Sequence, residues 1–170
     1  VGRASVRAAI QSYLDPANSG ITGLGAVFAH PARFTPEGEF YANDDPGTTD
    51  GAVIFLHLEQ VTAERVQLQG PSAGGKFRIY RLAIDCFIRS TDKSTEECGA
   101  FADAFLDNLT ARIEADKNAG NPSVIFQWGE GRRPGDPDLD TIATYPHPLG
   151  NSQNVSQVRA RITTTIMEKT

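Results

Sequence analysis

Three histidines, His30, His57 and His147, are the residues of this sequence best suited to metal binding or proton transfer, but their spacing does not suit a metal. Two of them stand next to prolines, in stretches that read as loops. Asp136, Asp138 and Asp140 in GDPDLD alternate as carboxylates do in a calcium loop. The central Gly and the closing bidentate Glu of an EF-hand are missing, so a solvated acidic loop is expected. Gly74, Gly75 and Lys76 could bring backbone amides and an ammonium to a phosphate. The run lacks the full P-loop pattern and opens a strand instead of a helix, which makes it turn chemistry. No G-x-S-x-G elbow frames a serine, and neither Cys86 nor Cys98 sits beside a group that would lower its pKa. Asn108 and Asn154 each begin a glycosylation acceptor triplet, read as chance in a chain without a secretory signal. The residues therefore argue for no catalytic group, no cofactor and no metal.

Composition points the same way. A formal charge of -5 does not suit a protein that grips nucleic acid through its phosphates, although DNA could still pass by without specific binding. The 170 residues suffice for one well-buried core, so a single domain over 1–170 is expected, and Gly 16 with Pro 10 implies long loops. No apolar run reaches the length of a membrane span, and a cytoplasmic protein with reduced core cysteines is the expectation.

What must position any functional residue is a set of elements visible as periodicities. In KFRIYRLAIDCFIR, residues 76–89, the apolar side chains Tyr80, Leu82, Ile84, Cys86 and Ile88 recur at every second position, as on one face of a central strand. The segment 52–69 carries Ile54, Leu56, Leu58, Val66 and Leu68 at even spacing, and the intervening GPSAGG is good turn material, so the two segments form a long hairpin. Residues 4–14 form a helix with the stripe Val6, Ala9, Ile10, Tyr13 and Leu14. A second helix begins at a Ser94 cap with Glu97 completing a capping box and ends at 118–120. Its stripe is Cys98, Phe101, Ala102, Phe105, Leu106, Leu109 and Ile113, predicted to pack on Leu82, Ile84 or Cys86. Short strands are expected at 26–29, 124–128 and 141–145. A last strand over 155–167 has Val158, Ala160, Ile162, Thr164 and Ile166 on a buried face, and Arg159, Arg161, Thr163 and Thr165 on a solvated or shared one. The fold class is α+β, with a mixed, mainly antiparallel sheet, a long projecting β-hairpin and helices packed on one face.

The parity of the hairpin is uneven, because apolar positions are odd at Phe77 and Ile79 but even from Tyr80 onward. Counting from the turn sets Leu68 opposite Phe77, Val66 opposite Ile79 and Glu64 opposite Arg81, with a one-residue bulge near Tyr80 restoring alignment. The tip then carries Val66, Leu68, Phe77 and Ile79 on an apolar face that a two-stranded extension cannot bury alone. These four residues form a candidate subunit interface.

In the order VRAAIQSYL, GAVIFLHLEQ, FRIYRLAIDCFIR, STEECGAFADAFLDNLTARI and VRARITTTIM, the chain resembles the tail terminator proteins of long-tailed bacteriophages. The resemblance covers most of the chain and is one of element order and pattern. It implies a virion protein of the tail and neck, assembled in the host cytoplasm. Such a protein forms a homo-oligomeric ring, usually hexameric, that sits on the tail tube protein and stops tube growth. It also offers a surface to a head-completion or connector protein, and DNA passes through the lumen without specific binding. Two other readings stay open: another phage neck or tail-tube subunit, and a small cytosolic α+β ligand-binding domain or enzyme.

Overall fold

The computed structural model describes residues 2–30, 50–65, 76–91, 95–120, 127–128, 139–144 and 155–169. Among them the element order is α1 (Arg3–Leu14), α2 (Pro16–Ser19), β1 (Leu24–Phe28), β2 (Asp50–Arg65), β3 (Lys76–Thr91), α3 (Thr95–Ala115), β4 (Gln127–Trp128), β5 (Leu139–Thr144) and β6 (Val155–Lys169). The strands form one six-stranded sheet in the order β1-β2-β3-β6-β4, with β5 also paired to β6. Only β1 and β2 run parallel; the other described ladders are antiparallel. The fold class is thus α+β with a mixed, mainly antiparallel sheet.

Helical periodicity decides where the helices lie. Val6, Ile10, Tyr13 and Leu14 of α1 are buried, as are Cys98, Ala102, Phe105, Leu106, Leu109 and Ile113 of α3. They share one core with Leu82, Ile84 and Cys86 of β3 and with Val158, Ala160, Ile162 and Ile166 of β6. Phe105 is 1% exposed, so the expected helix-on-sheet layer is present. Ser94 lies outside the described residues. At the other end of α3, Ala119 and Gly120 adopt φ of 47° and 69°, and the Asp116 carboxylate accepts hydrogen bonds from the Asn118 and Gly120 amides at 2.9 and 3.0 Å. The left-handed turn and the side-chain cap together stop the helix.

Tyr13, Arg112 and Trp128 tie α1 to α3 and β4. The Tyr13 hydroxyl donates to the Arg112 carbonyl at 2.9 Å, and Arg112 lies 3.8 Å above the Tyr13 ring while donating to the carbonyls of Tyr13 and Asn18. Trp128, 1% exposed, meets Tyr13 edge-on and donates its indole N–H to the Asp116 carbonyl at 2.7 Å.

The hairpin register differs from the one counted from the turn. Phe77 pairs with Glu64, Ile79 with Thr62 and Arg81 with Gln60, a displacement of four residues along β2 from the expected partners Leu68, Val66 and Glu64. The irregularity sits on the other arm as well, between Leu58 and Gln60, so Glu59 is the extra residue and β3 keeps an unbroken alternation. The reason is β6. It pairs with β3 without a slip from Phe77↔Lys169 to Thr91↔Val155, so β3, held on both sides, stays regular and the outer arm takes the bulge. As far as Phe77, then, the hairpin is backed by a third strand, and the turn itself lies outside the described residues.

Candidate interaction surface

The face of the sheet turned away from the α1–α3 core has two regions. Toward β1, the side chains Val53, Phe55 and Phe87 form a second buried cluster with Ala26 and Phe28 packed against it. Phe28 stacks on Phe55 at 5.0 Å, and Phe55 meets Phe87 edge-on at 5.6 Å, both within the range for favourable aromatic pairs. A small irregularity in β1 between Leu24 and Ala26 allows this arrangement. It keeps Leu24 and Val27 in the helix-side core while Ala26 and Phe28 join the other face.

Toward β6 and β5 the same face becomes charged and more exposed. Arg161 grips Asp85, its ladder partner, through two hydrogen bonds of 2.6 and 3.0 Å. The Glu59 carboxylate spans two arginines, reaching Arg81 and Arg161 at 3.3 Å each, and it can do so because the bulge displaces Glu59 from the regular alternation. The Asp85 hydrogen bonds push the Arg161 guanidinium above its ordinary value, so it stays charged at any working pH. Arg159 lies over the Phe87 ring at 4.6 Å, a cation–π contact. Beside Arg161 on the edge strand β5 stands Ile142, which is 62% exposed. As exposed ion pairs these contacts contribute about 0–1 kcal/mol each, so their main effect is to fix where the guanidinium groups point.

A buried polar pair lies at the other end of β6. The Tyr80 hydroxyl donates to Glu168 Oε2 at 2.5 Å, while Oε1 is buried without a partner among the described residues, and the two residues are each 1% exposed. Burial, and then the Glu168 hydrogen bond, push the Tyr80 phenol up.

Of the residues singled out from the sequence, Ile79 is buried at 8% exposure, Phe77 stands opposite Glu64 and Lys169, and Val66 and Leu68 lie outside the described residues. His30 is exposed and flanks the Phe28–Phe55 stack, and His57 lies in β2 two residues beyond Phe55. Asp140 belongs to β5 instead of a loop, whereas Asp136, Asp138, Gly74, Gly75, His147 and Asn154 lie outside the described residues. Cys86 and Cys98 are both buried and are not joined in a disulfide, and burial pushes the Cys86 thiol far up. Among the described residues no group of three His, Cys, Asp or Glu side chains could hold a metal ion, and no helix is long and apolar enough to cross a membrane.

The sequence reading missed the aromatic cluster and the Glu59 contacts. A signal for the first was present: Ala52 to Leu56 and Cys86 to Ile88 are continuous apolar runs, which mark strands buried on both faces. No comparable signal marked the second, since a bulge position is not encoded by any local pattern. No protein-family model matches this chain, and no curated protein matches it significantly.

Proposed function

We propose that the chain is a structural subunit of a bacteriophage neck, of the tail terminator type, which assembles into a ring on the tail tube. The observation that carries the reading is the order helix, long hairpin, capped amphipathic helix and alternating last strand in a chain whose two sides differ. One side is the outer surface of α3; the other is a sheet face bearing Arg81, Arg159 and Arg161. Unlike surfaces on opposite sides favour head-to-tail contacts, which close into rings when the relation is a rotation. In this reading the ring ends tube growth and presents one rim to a head-completion or connector protein. An acidic chain of charge -5 suits a lumen through which DNA slides without sticking. The protein would reside in the virion, at the neck.

The hairpin end, with Val66, Leu68, Phe77 and Ile79, is a contact to a neighbouring subunit or to the tube. Ile79 is already buried within the chain, so Val66, Leu68 and Phe77 carry that contact. The test pairs native mass measurement with electron microscopy of purified tail tubes, using the unaltered chain and the Leu68→Asp/Phe77→Asp variant. The unaltered chain forms rings and caps tubes; the variant stays folded by circular dichroism and does neither. A chain that is monomeric alone and leaves tubes uncapped refutes the function.

A further inference from the structure

The two outer strands of the sheet differ in how open they are to addition. Among the described residues β5 pairs with β6 alone, and Asp140, Thr141 and Ile142 are all exposed although they alternate between the two faces. Thr141 is the ladder partner of the buried Ile162, so its exposure shows that the helix-side layer stops short of β5. Ile142, at 62%, is the exposed large hydrophobic side chain among the described residues. At the opposite edge, Leu24 and Val27 of β1 are buried and the Val27 carbonyl already accepts from the Gln11 side chain at 2.8 Å. An open strand presents backbone donors and acceptors that an added strand satisfies.

The residues of β5, LDTIAT, decide which strand fits. Two copies can run antiparallel about a two-fold axis, and residues that face each other must have like parity if each face of the sheet is to continue across the axis. Centring the axis on Asp140 sets two carboxylates directly opposite, which is destabilising. Centring it on Thr141 places Ile142 against Asp140, and centring it on Ala143 places Ile142 against Thr144. The register centred on Ile142 sets that side chain against its own copy and Asp140 against Thr144. In that register the two Asp140 side chains are four residues apart, about 14 Å along the strands.

We propose that β5 of one copy pairs antiparallel with β5 of a second copy about a two-fold axis at Ile142, joining the two sheets edge to edge. Such an isologous contact closes on itself as a pair, so it does not depend on the ring reading and adds to the head-to-tail contact of a ring. A strand edge of six residues is smaller than a standard protein interface, so the pair is weak and forms at high chain concentration.

Cross-linking and charge exchange test it on the full chain. Across the axis the Cα atoms of residue 142 would lie about 4.5–5.5 Å apart, within the range that a disulfide spans. Ile142→Cys is therefore expected to give a covalent dimer on mild oxidation, whereas Asp140→Cys is not; Cys86 and Cys98 are buried and do not compete. Sedimentation then compares Ile142→Lys and Ile142→Glu with the unaltered chain, and circular dichroism establishes that each is folded. Each variant alone is expected to pair at least roughly tenfold more weakly, because like charges meet on the axis. Their equimolar mixture is expected to pair again, since each Lys then faces a Glu.

A chain that stays monomeric at high concentration, with no cross-link at Ile142→Cys, overturns the proposal and leaves capping of tail tubes as a separate matter. Equal cross-linking at positions 140 and 142, association that Ile142→Lys does not weaken, or a mixture that fails to pair overturns it as well. If the unaltered chain is monomeric while both charged variants lose capture of tail tubes, the edge takes a strand of the tube protein and the second-copy assignment is wrong. A chain that dimerises through Ile142 but never caps tubes removes the ring reading and leaves this contact standing.

Discussion

The Tyr80–Glu168 pair tests how the far end of the β3–β6 ladder is held. Removing the phenol oxygen by Tyr80→Phe deletes the 2.5 Å hydrogen bond and leaves a carboxylate, 1% exposed, with neither oxygen bonded among the described residues. A buried group stripped of its partner costs about 1–3 kcal/mol, and more when charged, so a loss of about 3 kcal/mol is expected. Glu168→Met removes the carboxylate and fills its volume. The phenol loses its acceptor but keeps the neighbouring Arg78, the ladder partner of Glu168, and about 1–2 kcal/mol is expected. Changing both residues leaves no polar group stranded at Tyr80 or Glu168, and the double variant should fall within about 1 kcal/mol of the unaltered chain. The non-additive part is then about 3 kcal/mol, measured from urea midpoints at constant m value. A double variant that loses the sum of the single losses would refute the reasoning, because it would mean that the two groups do not depend on each other.

Phe105→Ala empties a fully buried ring site between α3 and the sheet and should lower stability by about 3–5 kcal/mol in the same urea assay. Cys86 and Cys98 should resist a thiol reagent in the folded chain and both react once it is unfolded, since both are buried thiols outside any disulfide. Cys86 also sets an alkaline limit. Its thiol ionises near its ordinary 9.0 when unfolded but is pushed up by burial when folded, so its contribution is intact below pH 9.0 and is lost as pH rises. The slope is about 1.4 kcal/mol per pH unit, and Cys86→Ala should remove it. Tyr80 and Tyr13, both raised chiefly by burial from an ordinary 10.0, steepen the fall at higher pH. Gly23→Ala should cost more than about 1 kcal/mol, because Gly23 has φ of +83° and an added Cβ would come 2.6 Å from the Phe101 ring.

The periodicities in the chain settled a good deal without any knowledge of contacts. The stripes of α1 and α3 end up buried, and β6 alternates as its sequence alternates, because which side of a helix or strand a residue occupies depends only on the local repeat. The single core joining α3 to Leu82, Ile84 and Cys86 follows from there being large apolar faces to cover. Even Glu168, which interrupts the apolar character of β6, keeps the parity of Ile166 and is carried into the interior by it.

Register between strands is another matter, since it is set by partners far apart in the chain. Val66 and Ile79 were expected to face each other, yet Ile79 faces Thr62, because a regular β6 beside β3 forces the irregularity onto β2 at Glu59. That one displaced residue decides where a carboxylate meets Arg81 and Arg161. The Phe28–Phe55–Phe87 cluster likewise needs β1, β2 and β3 side by side. The side chains were legible as types and parities, but which of them would meet was decided by pairings between segments up to about a hundred residues apart, for which a local repeat holds no information.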